Sequence, residues 1–98
     1  MTTDPLAPDA GTPAILVLGR DTCEDTTRSR AHLASRGIAF TYMRVDRDPS
    51  ADEWIRRLNG GVWMTPTILL GDPDQPTHTL REPTNEDLDA ALAEGLGL

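Results

Sequence analysis

Residues Ala14-Ile15-Leu16-Val17-Leu18 form an unbroken apolar run held between Pro13 and Gly19. Alternation of apolar and polar residues is missing, so a strand built from them must be covered on both faces. That condition is met by the inner strands of a sheet with helices on each side. The run therefore calls for a layered α/β domain with this strand at its centre. The next residues add a turn and a helix start: Gly19-Arg20-Asp21 reverses the chain, Thr22 offers an N-cap, and Asp25 three residues on completes a capping box. This spacing puts Cys23, the only cysteine of the chain, at the first helical position. Backbone N–H groups and the positive end of a helix dipole favour a thiolate there, the form that attacks disulfides and binds metals.

The helix is expected to run to about Arg36 and stop at Gly37, with Leu33 and Ala34 inward and the arginines outward. Ile38 to Val45, rich in β-branched and aromatic residues, reads as a second strand reached by a right-handed crossover and parallel to the first. Asp48-Pro49-Ser50 with Glu53 opens a short helix whose Ala51, Trp54, Ile55 and Leu58 share one face, and Asn59-Gly60-Gly61 ends it. Thr67 to Leu70 is a third strand. After a turn-rich stretch from Gly71 to Pro76, His78 to Arg81 is expected as a fourth strand antiparallel to the third. Thr84 with Asp87 caps a last helix carrying Leu88, Ala91 and Leu92, expected to end at Gly95. Residues 1–13, with three prolines and no apolar period, read as a mobile arm preceding a domain at 14–98. The order is βαβ, a helix, then ββα.

Composition narrows the function classes. Ninety-eight residues suffice for one core. The net charge of −7 argues against a reader of phosphate backbones, which depends on clustered Lys and Arg. No run is long and apolar enough to span a bilayer. A lone cysteine cannot close an internal disulfide, and the first residues carry neither a basic nor an apolar leader segment, so a cytoplasmic protein is expected. His32 and His78 lack partners at ligand spacing and read as structural or surface residues, with no mononuclear metal site. Asn59-Gly60-Gly61 lacks the Lys and Ser or Thr that would make it a phosphate loop.

Four features, Arg20-Asp-Thr-Cys23 after the first strand, Val45-Asp-Arg-Asp-Pro49, Asn59-Gly-Gly61 and Thr65-Pro66-Thr67, together resemble the glutaredoxin family of the thioredoxin-like fold, nearest its mycoredoxin-like actinobacterial branch. The resemblance covers Ala14 to about Leu92. It implies a four-stranded mixed sheet flanked by helices, with Cys23 as the nucleophile. It also implies a cis Thr65–Pro66 bond lying against the sulfur, with the backbone of Thr65 pairing with bound substrate. An X-Pro bond tolerates the cis form far better than other peptide bonds. By the same resemblance Arg20, Thr22, Trp63, Met64, Thr65 and Pro66 form the substrate-binding surface. Arg20 stands where the family commonly has Lys, and Trp63 and Met64 stand where relatives often carry basic and hydroxyl residues close to a low-molecular-weight thiol.

The chain departs from dithiol members at Thr26, the position of their resolving cysteine. A redox cycle must then pass through a mixed disulfide resolved by an external thiol. Asp21, Glu24 and Asp25 surround the cysteine with acid. One carboxylate about 7 Å away in a water-like dielectric costs a thiolate roughly 0.6 kcal/mol, comparable to what an exposed helix start returns. A thiol pKa only modestly below the free value of about 8.5 is expected.

The implied activity is that of a monomeric monothiol oxidoreductase, with no bound cofactor and no nucleic-acid or membrane partner. It would reduce mixed disulfides between a client protein and a low-molecular-weight thiol, mycothiol or glutathione. The alternatives are a redox-inactive binding module, favoured by Thr26 and the pair Glu24-Asp25, and a [2Fe-2S] cluster shared by two subunits through Cys23. For the cluster, the Gly and aromatic residues usual after the cysteine in cluster-binding relatives are absent.

Overall fold

The computed structural model describes residues 14–98; the arm expected at 1–13 lies outside the described residues. Four strands and three helices follow in the order β1 (Ile15–Gly19), α1 (Glu24–Ser35), β2 (Thr41–Arg44), α2 (Pro49–Leu58), β3 (Thr67–Asp72), β4 (Gln75–Arg81) and α3 (Asn85–Leu96). The sheet order is β2-β1-β3-β4, with β1 parallel to β2 and antiparallel to β3, and β3 antiparallel to β4.

The apolar run is central, and its side chains divide between two layers. Ile15 and Val17 pack with Ile68, Leu70, Leu33 of α1 and Leu88, Ala91 and Leu92 of α3. Leu16 and Leu18 pack on the opposite face with Leu69, Val45 and the Ala51 and Ile55 of α2. Successive residues of a strand point to opposite faces, so a strand with a helix layer on each side has no solvent face to leave polar. The predicted face of α2 is the one buried: Trp54 and Leu58 pack against the same cluster as Ala51 and Ile55. Asp48 accepts hydrogen bonds from the backbone N–H groups of Ser50 and Ala51, and Pro49 takes the first helical position.

Several boundaries differ from the sequence expectation, each for a tertiary reason. Cys23, not Thr22, is the N-cap of α1: its carbonyl accepts the first helical bond, from Thr27 N at 3.0 Å, while Asp21 and Thr22 remain in the turn. Neither the Cys23 side chain nor a capping box closes this helix start. Ala34 is exposed, and Thr26 and Ser29 are buried beside Leu33 instead. The strand expected from Ile38 begins only at Thr41, because its ladder with β1 starts at the Leu16–Thr41 pair and leaves little strand for earlier residues to pair with. Ile38 and Phe40 pack on the core without pairing. β4 begins at Gln75 rather than His78, since the Asp72 carboxylate accepts from Asp74 N at 3.0 Å and closes a tight hairpin. Pro76 is tolerated because β4 lies at an edge. Finally, α3 continues through Gly95. A Cβ there would come within 2.7 Å of the His78 ring, so Gly95 is a packing glycine. The helix stop is Gly97, in the left-handed conformation at φ 70°.

Candidate active site

The end of β1, the start of α1 and the segment before β3 converge on Cys23. The Cys23 N–H donates to the Arg20 carbonyl at 3.2 Å, which tightens the turn and turns the side chain toward residues 65–66. The thiol donates to the Thr65 carbonyl, with Sγ and O 3.3 Å apart. Thr65–Pro66 is a cis peptide bond, as the resemblance implied. Thr65 and Pro66 are buried, and Cys23 is partly exposed. The Pro66 carbonyl accepts from Glu82 N at 2.8 Å, tying this segment to the chain entering α3. Arg28 donates to the Pro83 carbonyl at 3.2 Å and joins α1 to the same region.

Thr26 is fully buried beneath the cysteine. Arg20 N lies 3.5 Å from its hydroxyl oxygen, and a Cβ on Gly19 would meet its side chain at 2.6 Å. Burial pushes the Cys23 thiol up. The side chains of Thr65 and Thr26 and the backbone N–H groups of Thr26 and Asp25, which favour the thiolate, outweigh it and leave the thiol below an ordinary cysteine. The direction agrees with the sequence expectation, and the backbone N–H groups of the helix start are among its causes, joined by the side chains of Thr65 and Thr26. Two of the three neighbouring acids are held by arginines. Asp25 pairs with Arg28 at 2.9 Å. Asp21 accepts from the Tyr42 hydroxyl at 2.8 Å and from Arg44 at 3.1 Å, with Arg30 at 3.6 Å. The Tyr42 and Arg44 bonds hold the Asp21 carboxyl below its usual range. Burial, then the bond to Asp21, pushes Tyr42 up to about 12.

Trp63 does not offer its N–H to a ligand, because the indole donates to Asp52 at 2.7 Å. Asp52 also receives Arg56 at 2.8 Å, and the ring lies between two cations, with Arg56 at 5.4 Å and Arg20 at 5.8 Å from its centroid. The Met64 carbonyl accepts from the Thr67 hydroxyl at 2.7 Å, which fixes the backbone entering β3. Thr22 is exposed in the turn. The structure therefore brings Cys23 to Thr65 and Arg20 to both Thr26 and the Trp63 ring, and leaves Thr22 exposed. The Asp21–Tyr42–Arg44 cluster and the Asp52–Trp63 bond have no local sequence signal. Their partners are separated by 11 to 23 positions.

The fold has counterparts among solved structures. A glutaredoxin from Brucella melitensis is 22% identical over 84% of this chain and 80% of its own, with a TM-score of 0.56. Thioredoxin f2 from Chlamydomonas reinhardtii is 14% identical, covers 89% and 82%, and superposes with a TM-score of 0.67. The fold is thioredoxin-like. A glutaredoxin from Archaeoglobus fulgidus shares this thioredoxin-like fold at 20% identity, 84% coverage of both chains and a TM-score of 0.53. No family model and no curated protein matches the sequence.

Within the thioredoxin-like frame, His32 and His78 lie away from the cysteine. The His32 ring meets Asp89 at 2.7 Å, and His78 lies 3.6 Å from Glu94. Among the described residues no group of three or more His, Cys, Asp or Glu side chains converges as a metal site. Cys23 would thus be the only ligand these residues bring to a shared cluster. No helix among them is long and apolar enough to cross a membrane.

Proposed function

We propose that the protein is a monothiol thiol-disulfide oxidoreductase of the glutaredoxin type, acting on mixed disulfides between proteins and a low-molecular-weight thiol. The observation that carries this reading is the contact between Cys23 Sγ and the Thr65 carbonyl, 3.3 Å apart, beside a cis-proline at the start of a helix. The lowered thiol and the bonds from Thr26 and Thr65 support Cys23 as the attacking group.

In the first step the Cys23 thiolate attacks the sulfur of the small thiol. The S–S bond of the mixed disulfide breaks, and the departing protein thiolate takes a proton from solvent. A second molecule of the small thiol, as its thiolate, then attacks the mixed disulfide on Cys23. This step releases the oxidised disulfide of the small thiol and restores the Cys23 thiolate. The client's thiol is freed, one free small thiol is consumed, and the disulfide passes to the pair of small thiols, with no net change in Cys23. Thr26 cannot resolve the intermediate, which makes the external thiol obligatory. Arg20 beside the Trp63 ring supports a polar or carboxylate-bearing small thiol, and Thr65 supports pairing with the substrate backbone. Glutathione and mycothiol are both candidates.

The test is reduction of a mixed-disulfide substrate by wild type and by Cys23→Ser, with glutathione and mycothiol each supplied as reductant. Turnover with one of them is expected for wild type, and none for Cys23→Ser. Absence of Cys23-dependent turnover with both would instead make the protein a binding module.

A further inference from the structure

On the other side of the Cys23 turn lies an open groove of about 570 Å³, lined among others by Asp21, Arg30, Tyr42, Arg44, Arg47 and Asp48. It begins two residues before the cysteine, at Asp21, and follows β2, the outer strand of the sheet, toward the start of α2. Its donors outnumber its available acceptors. Arg44 and Arg30 both turn to the single carboxylate of Asp21, at 3.1 and 3.6 Å, and Arg30 also lies 3.8 Å from the Tyr42 ring centroid. Arg47 makes no ion pair among the described residues. The second carboxylate of the lining, Asp48, is committed to the N–H groups of Ser50 and Ala51. Asp46 stands near Tyr42 but is not part of the lining. The lining thus sets three guanidinium groups against two carboxylates, with Arg47 unpaired among the described residues, in a chain whose net charge is −7. Guanidinium forks match carboxylates in geometry and charge.

We propose that this groove receives an acidic segment of the client protein, a stretch with Asp or Glu close to the cysteine whose disulfide is reduced. The inference rests on Cys23 being the attacking thiol. The small thiol of the mixed disulfide then lies toward Arg20, Trp63 and Thr65, and the protein part leaves the sulfur across Asp21 into the groove. Recognition is short-ranged and salt-sensitive, because the molecule as a whole repels acidic partners and only the groove attracts them.

Two peptides of equal length test it, each carrying one cysteine as a mixed disulfide with the small thiol, flanked in one by glutamates and in the other by glutamines. The acidic peptide is expected to show a kcat/KM about threefold to tenfold higher at low salt, an advantage of one or two exposed ion pairs. High salt should erase the preference, and Arg47→Ala, which leaves the Asp21–Tyr42–Arg44 contacts in place, should reduce it, while the rate of that variant with the glutamine peptide stays unchanged. Equal rates for the two peptides would overturn the groove assignment and leave the chemistry of Cys23 standing. A binding measurement on Cys23→Ser separates the two readings. Tighter binding of the glutamate peptide, lost in Arg47→Ala, supports the groove even if wild type shows no turnover. Binding of inorganic phosphate with no discrimination between the peptides counts against a peptide site.

Discussion

By the family resemblance Thr26 stands at the place of a resolving thiol; in the structure its side chain packs against Gly19. It is fully buried, and it fits against Gly19 so closely that any side chain there would collide with it at 2.6 Å. Its hydroxyl and backbone both lower the Cys23 thiol. Thr26→Val keeps the branched shape and removes the hydroxyl, so the Cys23 pKa is expected to rise. Thiolate absorbance followed against pH measures this; an unmoved inflection would show that the hydroxyl is not a donor to the sulfur. The place of Cys23 at a helix start was legible from local signals, whereas its contact with Thr65–Pro66 was implied only by the family resemblance, since 42 positions separate Cys23 from Thr65. The role of Thr26 was not legible, since a buried hydroxyl under a cysteine looks in sequence like any helix-face threonine. The restraint on the neighbouring acids was equally hidden, because Asp21 finds Tyr42 and Arg44 only when β2 is laid beside β1.

Among the elements, α1 and α2 are stabilised in opposite ways. Helix α2 carries its own instructions: an aspartate cap, a proline at the first position, a wide apolar face, and an Asn59 side chain that donates to the Ile55 carbonyl and the Thr67 hydroxyl. Removing the cap in Asp48→Ala is expected to cost about 1 kcal/mol, read as a lower urea midpoint with an unchanged slope. Asp48→Asn, which retains an acceptor, is expected to lose less. Helix α1 has no side-chain cap and buries only Thr26, Ser29 and Leu33. Its C-terminal half is held from outside. Asp89 of α3 meets both His32, at 2.7 Å, and Arg36, at 2.8 Å, and Arg36 also donates to the Leu98 carbonyl. The thin apolar stripe was visible in the sequence; the clamp from α3 was not, because its partners lie 53 to 62 positions apart.

At the scale of the molecule, the acidic balance is organised rather than diffuse. Asp21, Asp52 and Asp89 are each lowered, chiefly by hydrogen bonds from Tyr42, Trp63 and His32 respectively, with Arg44, Arg56 and Arg36 adding to them. Each of these carboxylates binds its proton less readily folded than unfolded. Their contribution is therefore complete above the ordinary aspartate pKa of 3.8 and is lost as pH falls through the lowered folded values. Denaturant midpoints are expected to fall as pH drops from about 4 toward about 2, and to fall less steeply in Asp89→Asn. A midpoint that holds steady over that interval would remove the electrostatic account of these links.

The sequence alone determined the layered arrangement. An apolar run without alternation requires cover on both faces, and the caps Asp48 and Thr84 are read within a few residues of where they act. Tertiary structure decided where strands begin and end, since a ladder extends only as far as its partner. It decided that Gly95 serves packing against His78 and Gly97 serves as the stop. It also decided the electrostatic setting of Cys23, because Coulomb and hydrogen-bond partners are set by distance in space. The acids beside the cysteine in sequence face arginines and a tyrosine once the sheet has formed.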